Sequence, residues 1–286
     1  MEPTSFAELI SGDELYKQRA RLALPILVRQ AEAGKAITYS DLAEELGMPN
    51  PRNLNYPLGT IGSTIENVSH EWGEKIPPIQ CLVVNKNTGL PGDGVAFFLR
   101  DWGDFAALPR RRQKEVVAGA HALIFAYPWW EQLLRELSLE PARPDFSEII
   151  RAANSVRGDG ESHEHRALKI FVAKNPECIG LPVGTPVGCN EVALPSGDCL
   201  DVAFDAGDEW VAAEVKSARS DDADVVRGLF QCVKYRAVME AVQAAQSRAR
   251  DARAVLVLER PLPRQLISLR NILGIEVFEN IRHKKL

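Results

Sequence analysis

The sequence predicts an α/β chain (α+β overall) in two parts: a winged-helix-like first half and a second half built on a mixed sheet flanked by helices. Three observations carry this prediction. The first half runs helix, short helix, helix, strand, loop, strand. The second runs αβββαβαβ, an order that suits a mixed sheet with helices packed on it. Between them, residues 140–145 hold Pro141 and Pro144, and 157–160 is polar with two glycines. This punctuation places a linker at 138–160 and domains at 1–137 and 161–286.

The elements follow from local pattern. Residues 15–33 form a helix, with Leu22, Leu24, Ile26, Leu27 and Ala31 as its apolar surface and Gly34 at its stop. A short helix covers 41–46, with Ser40 as its N-cap and acidic residues in its first turn. Pro49 and Pro51 break the chain, and a third helix covers 58–72. Residues 79–84 read as a strand, 85–94 as a turn-rich loop and 95–99 as a returning strand. The segment 110–137 reads as one helix, whose Trp129 and Trp130 are expected to pack on a neighbour. In the second half a helix covers 161–174, and three short strands cover 190–194, 199–205 and 210–216, joined by turn residues. A long helix at 222–247, an apolar strand at 254–258, a helix at 264–273 and a strand at 275–278 complete the order.

Composition narrows the function classes. The 286 residues carry 34 Lys+Arg against 39 Asp+Glu, a formal charge of −5. Residues 1–150 hold 15 basic and 20 acidic side chains, and residues 151–286 hold 19 of each. Neither half has the basic excess of a protein that coats nucleic acid non-specifically. No window approaches the roughly 18 consecutive apolar residues of a membrane span. The first residues lack the basic-then-apolar pattern of a signal peptide. The five cysteines, at positions 81, 178, 189, 199 and 232, form no CxxC pair. The expectation is a reducing, cytoplasmic setting without a disulfide framework or structural zinc.

Strand parity brings chemistry-bearing residues together. In 200–204, Leu200, Val202 and Phe204 share one face and Asp201 the other. In 211–216, Val211, Ala213 and Val215 share one face, and Glu214 and Lys216 project from the other. A tight connection makes the two strands neighbours, so Asp201, Glu214 and Lys216 can converge opposite the core. Two adjacent carboxylates repel unless a cation lies between them, and hard oxygen ligands suit Mg²⁺ or Mn²⁺. A nearby lysine can orient water or stabilise charge developing on a phosphate. A solvated Glu–Lys pair is the plainer reading of an isolated ExK, but this one sits in a mostly apolar strand. Gln231 and Tyr235, four apart, share a face of the following helix. His163 and His165 read as solvated helix residues.

Asp201, twelve residues, then Glu214-Val215-Lys216 resembles the core of the PD-(D/E)XK, or restriction-endonuclease-like, nucleases, although Leu200 stands where the motif proline belongs. The run 231–235 resembles the QxxxY helix motif of several branches, and Glu164 the first-helix carboxylate of some. The resemblance spans roughly 160–280. It implies a restriction-endonuclease-like sheet, with Asp201, Glu214 and the Val215 carbonyl as ligands of Mg²⁺ or Mn²⁺. It further implies Lys216 as the residue that positions water, and Gln231, Tyr235 and Glu164 as supports. Arg227, one turn before Gln231, is a candidate phosphate contact or the partner of a nearby aspartate.

In the first half, 37–43 and 76–84 together resemble the DNA-binding domain of alkylguanine alkyltransferases and their alkyltransferase-like relatives, over about 20–100. Residues 59–63 fall on the DNA-facing helix, which makes Thr60 and Ser63 candidate DNA contacts, and Cys81 falls on the nucleophile position. The His and Arg that follow the nucleophile in that family are Leu82 and Val83 here. Without that His, Cys81 lacks the base that would make it a thiolate, and it reads as a buried strand cysteine.

The expected function is a metal-dependent endonuclease hydrolysing DNA phosphodiester bonds. Residues 1–137 would dock DNA or a protein partner, a homodimer would suit a double-strand cut, and phage defence, restriction or repair would suit the pairing. The alternative is a catalytically silent DNA-binding or assembly factor with a nuclease-like core. No RNA-recognition signature is visible.

Overall fold

The computed structural model describes residues 7–92, 94–95, 98–99, 104–155, 162–246 and 250–282. It is mixed α/β and divides into two compact units, Met1–Pro144 and Asp145–Leu286. Among the described residues no helix is long and apolar enough to cross a membrane.

In the first unit α1 (Ala7–Ile10), α2 (Leu15–Glu32), β1 (Ile37–Thr38), α3 (Tyr39–Glu45), α4 (Asn55–Trp72), β2 (Val83–Val84), α5 (Arg110–Ala126) and α6 (Trp130–Glu136) surround one apolar core. Helix α2 is buried all round from Ala23 to Ala31, as a central helix of a core is, while Leu22 near its start is exposed. Thr38, not Ser40, caps α3: its hydroxyl accepts the Asp41 N–H at 3.1 Å. The long helix expected over 110–137 breaks after Ala126, because Pro128 has no N–H to give an α-helix. Trp130 is buried and donates its indole N–H to the Ile124 carbonyl at 2.9 Å, whereas Trp129 stays exposed.

The expected strand 79–84 is corrected. Ile79–Leu82 is a turn of 3₁₀-helix, and only Val83–Val84 is a strand. It pairs parallel with β1, through Ile37↔Val83 and Thr38↔Val84, and not as the first arm of a wing hairpin. The expected returning strand 95–99 is likewise corrected: Val95, Phe98 and Leu99 lie in 3₁₀ turns, and residues 96–97 lie outside the described residues.

The second unit opens with α7 (Ser147–Ser155), within the segment expected as linker. There follow α8 (His163–Lys174), β3 (Cys189–Ala193), β4 (Cys199–Asp205), β5 (Glu209–Lys216), α9 (Asp222–Ala245), β6 (Asp251–Leu258), α10 (Ile267–Leu273) and β7 (Glu276–Phe278). The five strands lie in the order β3-β4-β5-β6-β7. The first three are antiparallel, and β6 and β7 run parallel to β5.

Two cores result. Val202, Phe204, Val211, Ala213, Val215, Val255 and Val257 pack with Leu168 and Val172 of α8. Ala203, Ala212, Leu256 and Leu258 pack with α9 and α10 on the opposite face. Both layers bury β5 and β6, and β6 is apolar at every residue from Ala254 to Leu258. Leu200 departs from strict parity and joins the α9 core. Beside it, Glu191 takes a left-handed backbone (φ 56°), and the β3–β4 register runs from Asn190↔Val202 to Val192↔Leu200 with no pair between.

Phe204 is buried, and its ring leaves room for only a hydrogen at Gly188, where an added Cβ would lie 2.7 Å from it. Phe204→Ala is expected to cost about 3–5 kcal/mol in urea unfolding. A loss under about 1 kcal/mol would contradict this packing.

Candidate active site

The site lies where the β4–β5 ladder stops. Their register ends at Val202↔Ala213, one step short of Asp201 and Glu214. Beyond that point Asp201 Oδ2 accepts the backbone N–H of Val215 at 2.9 Å. A side chain has replaced the strand as acceptor, which anchors the Asp201 carboxylate beside the residue that follows Glu214.

Glu214 is buried on the α9 side of the sheet, with 3% of its surface exposed. Its Oε1 lies 2.9 Å from Lys216 Nζ, and its Oε2 is 3.1 Å from the Tyr235 hydroxyl. Burial, and after it the negative charge of Asp201, pushes the Glu214 carboxyl up to about 7. Lys216 and the Tyr235 hydroxyl oppose that rise without cancelling it. Lys216 is buried too, which works against its charge, but Glu214, Asp224 and Asp201 outweigh burial and raise it above an ordinary lysine.

Helix α9 supplies the rest of this side. Asp224, Gly228, Gln231 and Tyr235 follow one another at spacings of four, three and four, which align them on one face. Asp224 sits 3.4 Å from Lys216 and 2.8 Å from Arg227. Burial opposes its charge, yet a bond from Ser220 and the two cations hold its carboxyl low. A Cβ at Gly228 would lie 2.8 Å from Leu256 Cδ1 and 3.0 Å from Lys216 Cε, so glycine is what lets α9 close on the site. Gln231 Nε2 donates to the Tyr235 hydroxyl at 3.3 Å. That hydroxyl lies 3.1 Å from both the Cys199 carbonyl and Glu214. The burial of the phenol and the charge of Glu214 raise Tyr235 well above an ordinary tyrosine, so it stays a hydrogen-bond donor.

Two side chains of α8 face Asp201 Oδ1: Lys169, which the sequence reading passed over, and His165, which it read as solvated. His165 Nε2 lies 3.6 Å from it, and Lys169 Nζ 3.8 Å. Lys169 also lies 3.1 Å from Glu191. A signal for Lys169 was present: it shares the buried stripe of α8 with Leu168, Val172 and Ala173, where a lysine needs a partner. His165 is half-buried against Asp201, in place of the solvated residue expected.

The remaining candidates lie elsewhere. Glu164 is held by Arg219, 3.4 Å away, and not by the Asp201–Glu214 pair. Arg227 bonds Asp224 and the Ala153 carbonyl of α7. Thr60 and Ser63 lie on α4, where the Thr60 hydroxyl donates to the Tyr56 carbonyl and Ser63 is exposed. Cys81 lies in the 3₁₀ turn, not on a strand. It is fully buried, and desolvation pushes its thiol up to about 12, so it is no nucleophile at neutral pH. The half-buried ring of His121 contacts its carbonyl, not its sulfur.

Among the described residues no three His, Cys, Asp or Glu side chains gather as a metal-holding group. The donor set at the sheet is two carboxylates, Asp201 and Glu214. Its chemistry fits a hard divalent cation, because the mutual repulsion that favours a proton on Glu214 is relieved equally by a metal charge. The chain matches no family model, no curated protein and no solved structure.

The Glu214 shift has a consequence for stability. The folded chain keeps that proton up to about pH 7, while an ordinary glutamate releases it near 4.5. Stability therefore falls as pH rises across that window. In EDTA, the wild-type Tm should drop more between pH 5 and 7 than the Tm of Glu214→Gln. Equal slopes would contradict the assignment.

Proposed function

We propose that this protein is a metal-dependent nuclease that hydrolyses DNA phosphodiester bonds. The observation that carries the reading is the Asp201 carboxylate bonded to the Val215 amide, next to a buried Glu214–Lys216 pair. In this reading Asp201, Glu214 and the Val215 carbonyl hold Mg²⁺ or Mn²⁺. The cation, when bound, supplies Lewis-acid activation of the phosphate and of water.

This chain's own groups do the rest. Lys216, within 2.9 Å of Glu214, positions the attacking water and offsets charge developing on the phosphate. Tyr235 and Gln231 fix the Glu214 carboxylate. Asp224 shares the charge of Lys216 and links it to Arg227. The finer fold assignments belong to the same proposal: a restriction-endonuclease-like second unit, and a first unit that docks DNA or a partner. A role in restriction, phage defence or repair fits the pairing.

The test uses purified protein with plasmid, linear and single-stranded DNA, in Mg²⁺ or Mn²⁺ and in EDTA. Wild type should cut only with metal. Asp201→Ala and Glu214→Ala should abolish cleavage, and Lys216→Ala should slow it by about 10²-fold or more. Gln231→Ala and Tyr235→Phe should cost less. Equal cutting in EDTA, or full activity in the Glu214 variant, would defeat the reading.

A further inference from the structure

The first unit contains a cleft of ≈ 690 Å³ lined by Tyr39, Arg52, Asn55, Leu58, Gln80, Phe98 and others. Gln80 is the unusual member. It is 1% exposed, and among the described residues neither its amide nitrogen nor its amide oxygen has a hydrogen-bond partner. Leaving one buried donor or acceptor unpaired costs about 1–3 kcal/mol, and this side chain leaves one of each. A core position would be better served by leucine, so an amide kept at this cost points to a ligand.

The surroundings hold the amide in place. A Cβ at Gly62 would lie 2.7 Å from Gln80 Nε2 and 2.3 Å from the Phe98 ring, so the bare backbone of α4 makes the space that both occupy. Tyr39, on the wall, accepts the Gly92 N–H through its hydroxyl at 3.0 Å. The residue of the 79–82 turn that reaches the cleft is Gln80, and its neighbour Cys81 points into the core.

The lining specifies a ligand class. A carboxamide offers a donor beside an acceptor, which a lactam or amino-pyrimidine edge complements with two bonds. Phe98 offers a flat aromatic face and Leu58 and Val95 add apolar contact, which suits a ring. Arg52 and Asn55 are exposed where they line the cleft, near the N-terminus of the 18-residue α4, whose dipole favours an anion. We propose that this cleft binds a free nucleoside monophosphate, with its base on Gln80 and its phosphate toward Arg52. Within the cleft the charge suits a small anion over a polyanion, since Arg52 is the one basic side chain among its described lining residues. This inference does not depend on the nuclease reading.

The test is calorimetric titration of the full chain with AMP, GMP, CMP and UMP, with the matching nucleosides, and with single- and double-stranded 20-mer DNA. At least one monophosphate should bind with a dissociation constant below about 1 mM. Gln80→Leu should weaken it about tenfold or more while leaving the ligand-free Tm equal or higher, because it removes unpaired buried polar atoms. Arg52→Ala, on an exposed side chain that folding does not need, should weaken the monophosphate several-fold and leave the nucleoside unchanged. The proposal is overturned if no monophosphate binds, if Gln80→Leu binds like wild type, or if Arg52→Ala has no effect. It is equally overturned if binding that depends on Gln80 is confined to DNA.

Discussion

One hydrogen bond organises the second unit: the Val215 N–H given to Asp201 Oδ2 at 2.9 Å. In an uninterrupted antiparallel pair, β4 and β5 would satisfy each other's backbone groups. Here the ladder ends at Val202↔Ala213, and a carboxylate takes over. The exchange brings a second negative charge next to Glu214, which burial already disfavours as an anion. Much of the surrounding architecture answers that electrostatic problem. Lys216 faces Glu214 from the same strand, Tyr235 donates from α9, and Lys169 and His165 approach Asp201 from α8.

Burying an ion pair is a poor way to gain stability, because desolvation offsets most of the attraction. A Glu–Lys pair with side chains 4% and 10% exposed, joined to Asp224 and Arg227, is therefore hard to explain by stability alone. Helix α9 is shaped around it. Gly228 lacks the side chain that would strike Lys216 and Leu256, and Asp224, Gln231 and Tyr235 point from the same face. The apolar residues of α9, including Val225, Leu229 and Met239, pack it on the sheet and fix the register of that polar row. A densely packed, glycine-dependent contact suits a function that needs fixed geometry.

Much of this was legible in the sequence because strands and helices place side chains by simple periods. The element order of the second half, the burial of Val202 with Val211 and Ala213, and the polar side of β5 follow from parity and from β-branched composition. Parity failed at Leu200, whose partner Val192 follows the left-handed backbone of Glu191, a departure no side-chain pattern announces. Lys169 was missed and His165 was read as solvated because their partner, Asp201, lies on a strand more than thirty residues away. In the first half, 79–84 has the composition of a strand, but Pro77 and Pro78 precede a tight turn, and four of its six residues became 3₁₀-helix. That turn buries Cys81 and sends Gln80 toward the cleft, so the cysteine that falls on the nucleophile position of the resemblance and the polar group that meets the cleft are adjacent but different residues.

The central claim is that Asp201 and Glu214 form one cation site that Lys216 borders but does not ligate. Calorimetric titration with Mn²⁺ tests it most directly, using wild type, Asp201→Asn, Glu214→Gln and Lys216→Met, all close in shape to the native side chains. The account predicts one saturable Mn²⁺ site in wild type and in Lys216→Met, with binding lost or at least tenfold weaker in each carboxylate variant, the scale expected when a ligand charge is removed. Wild-type Mn²⁺ affinity in either carboxylate variant would contradict it.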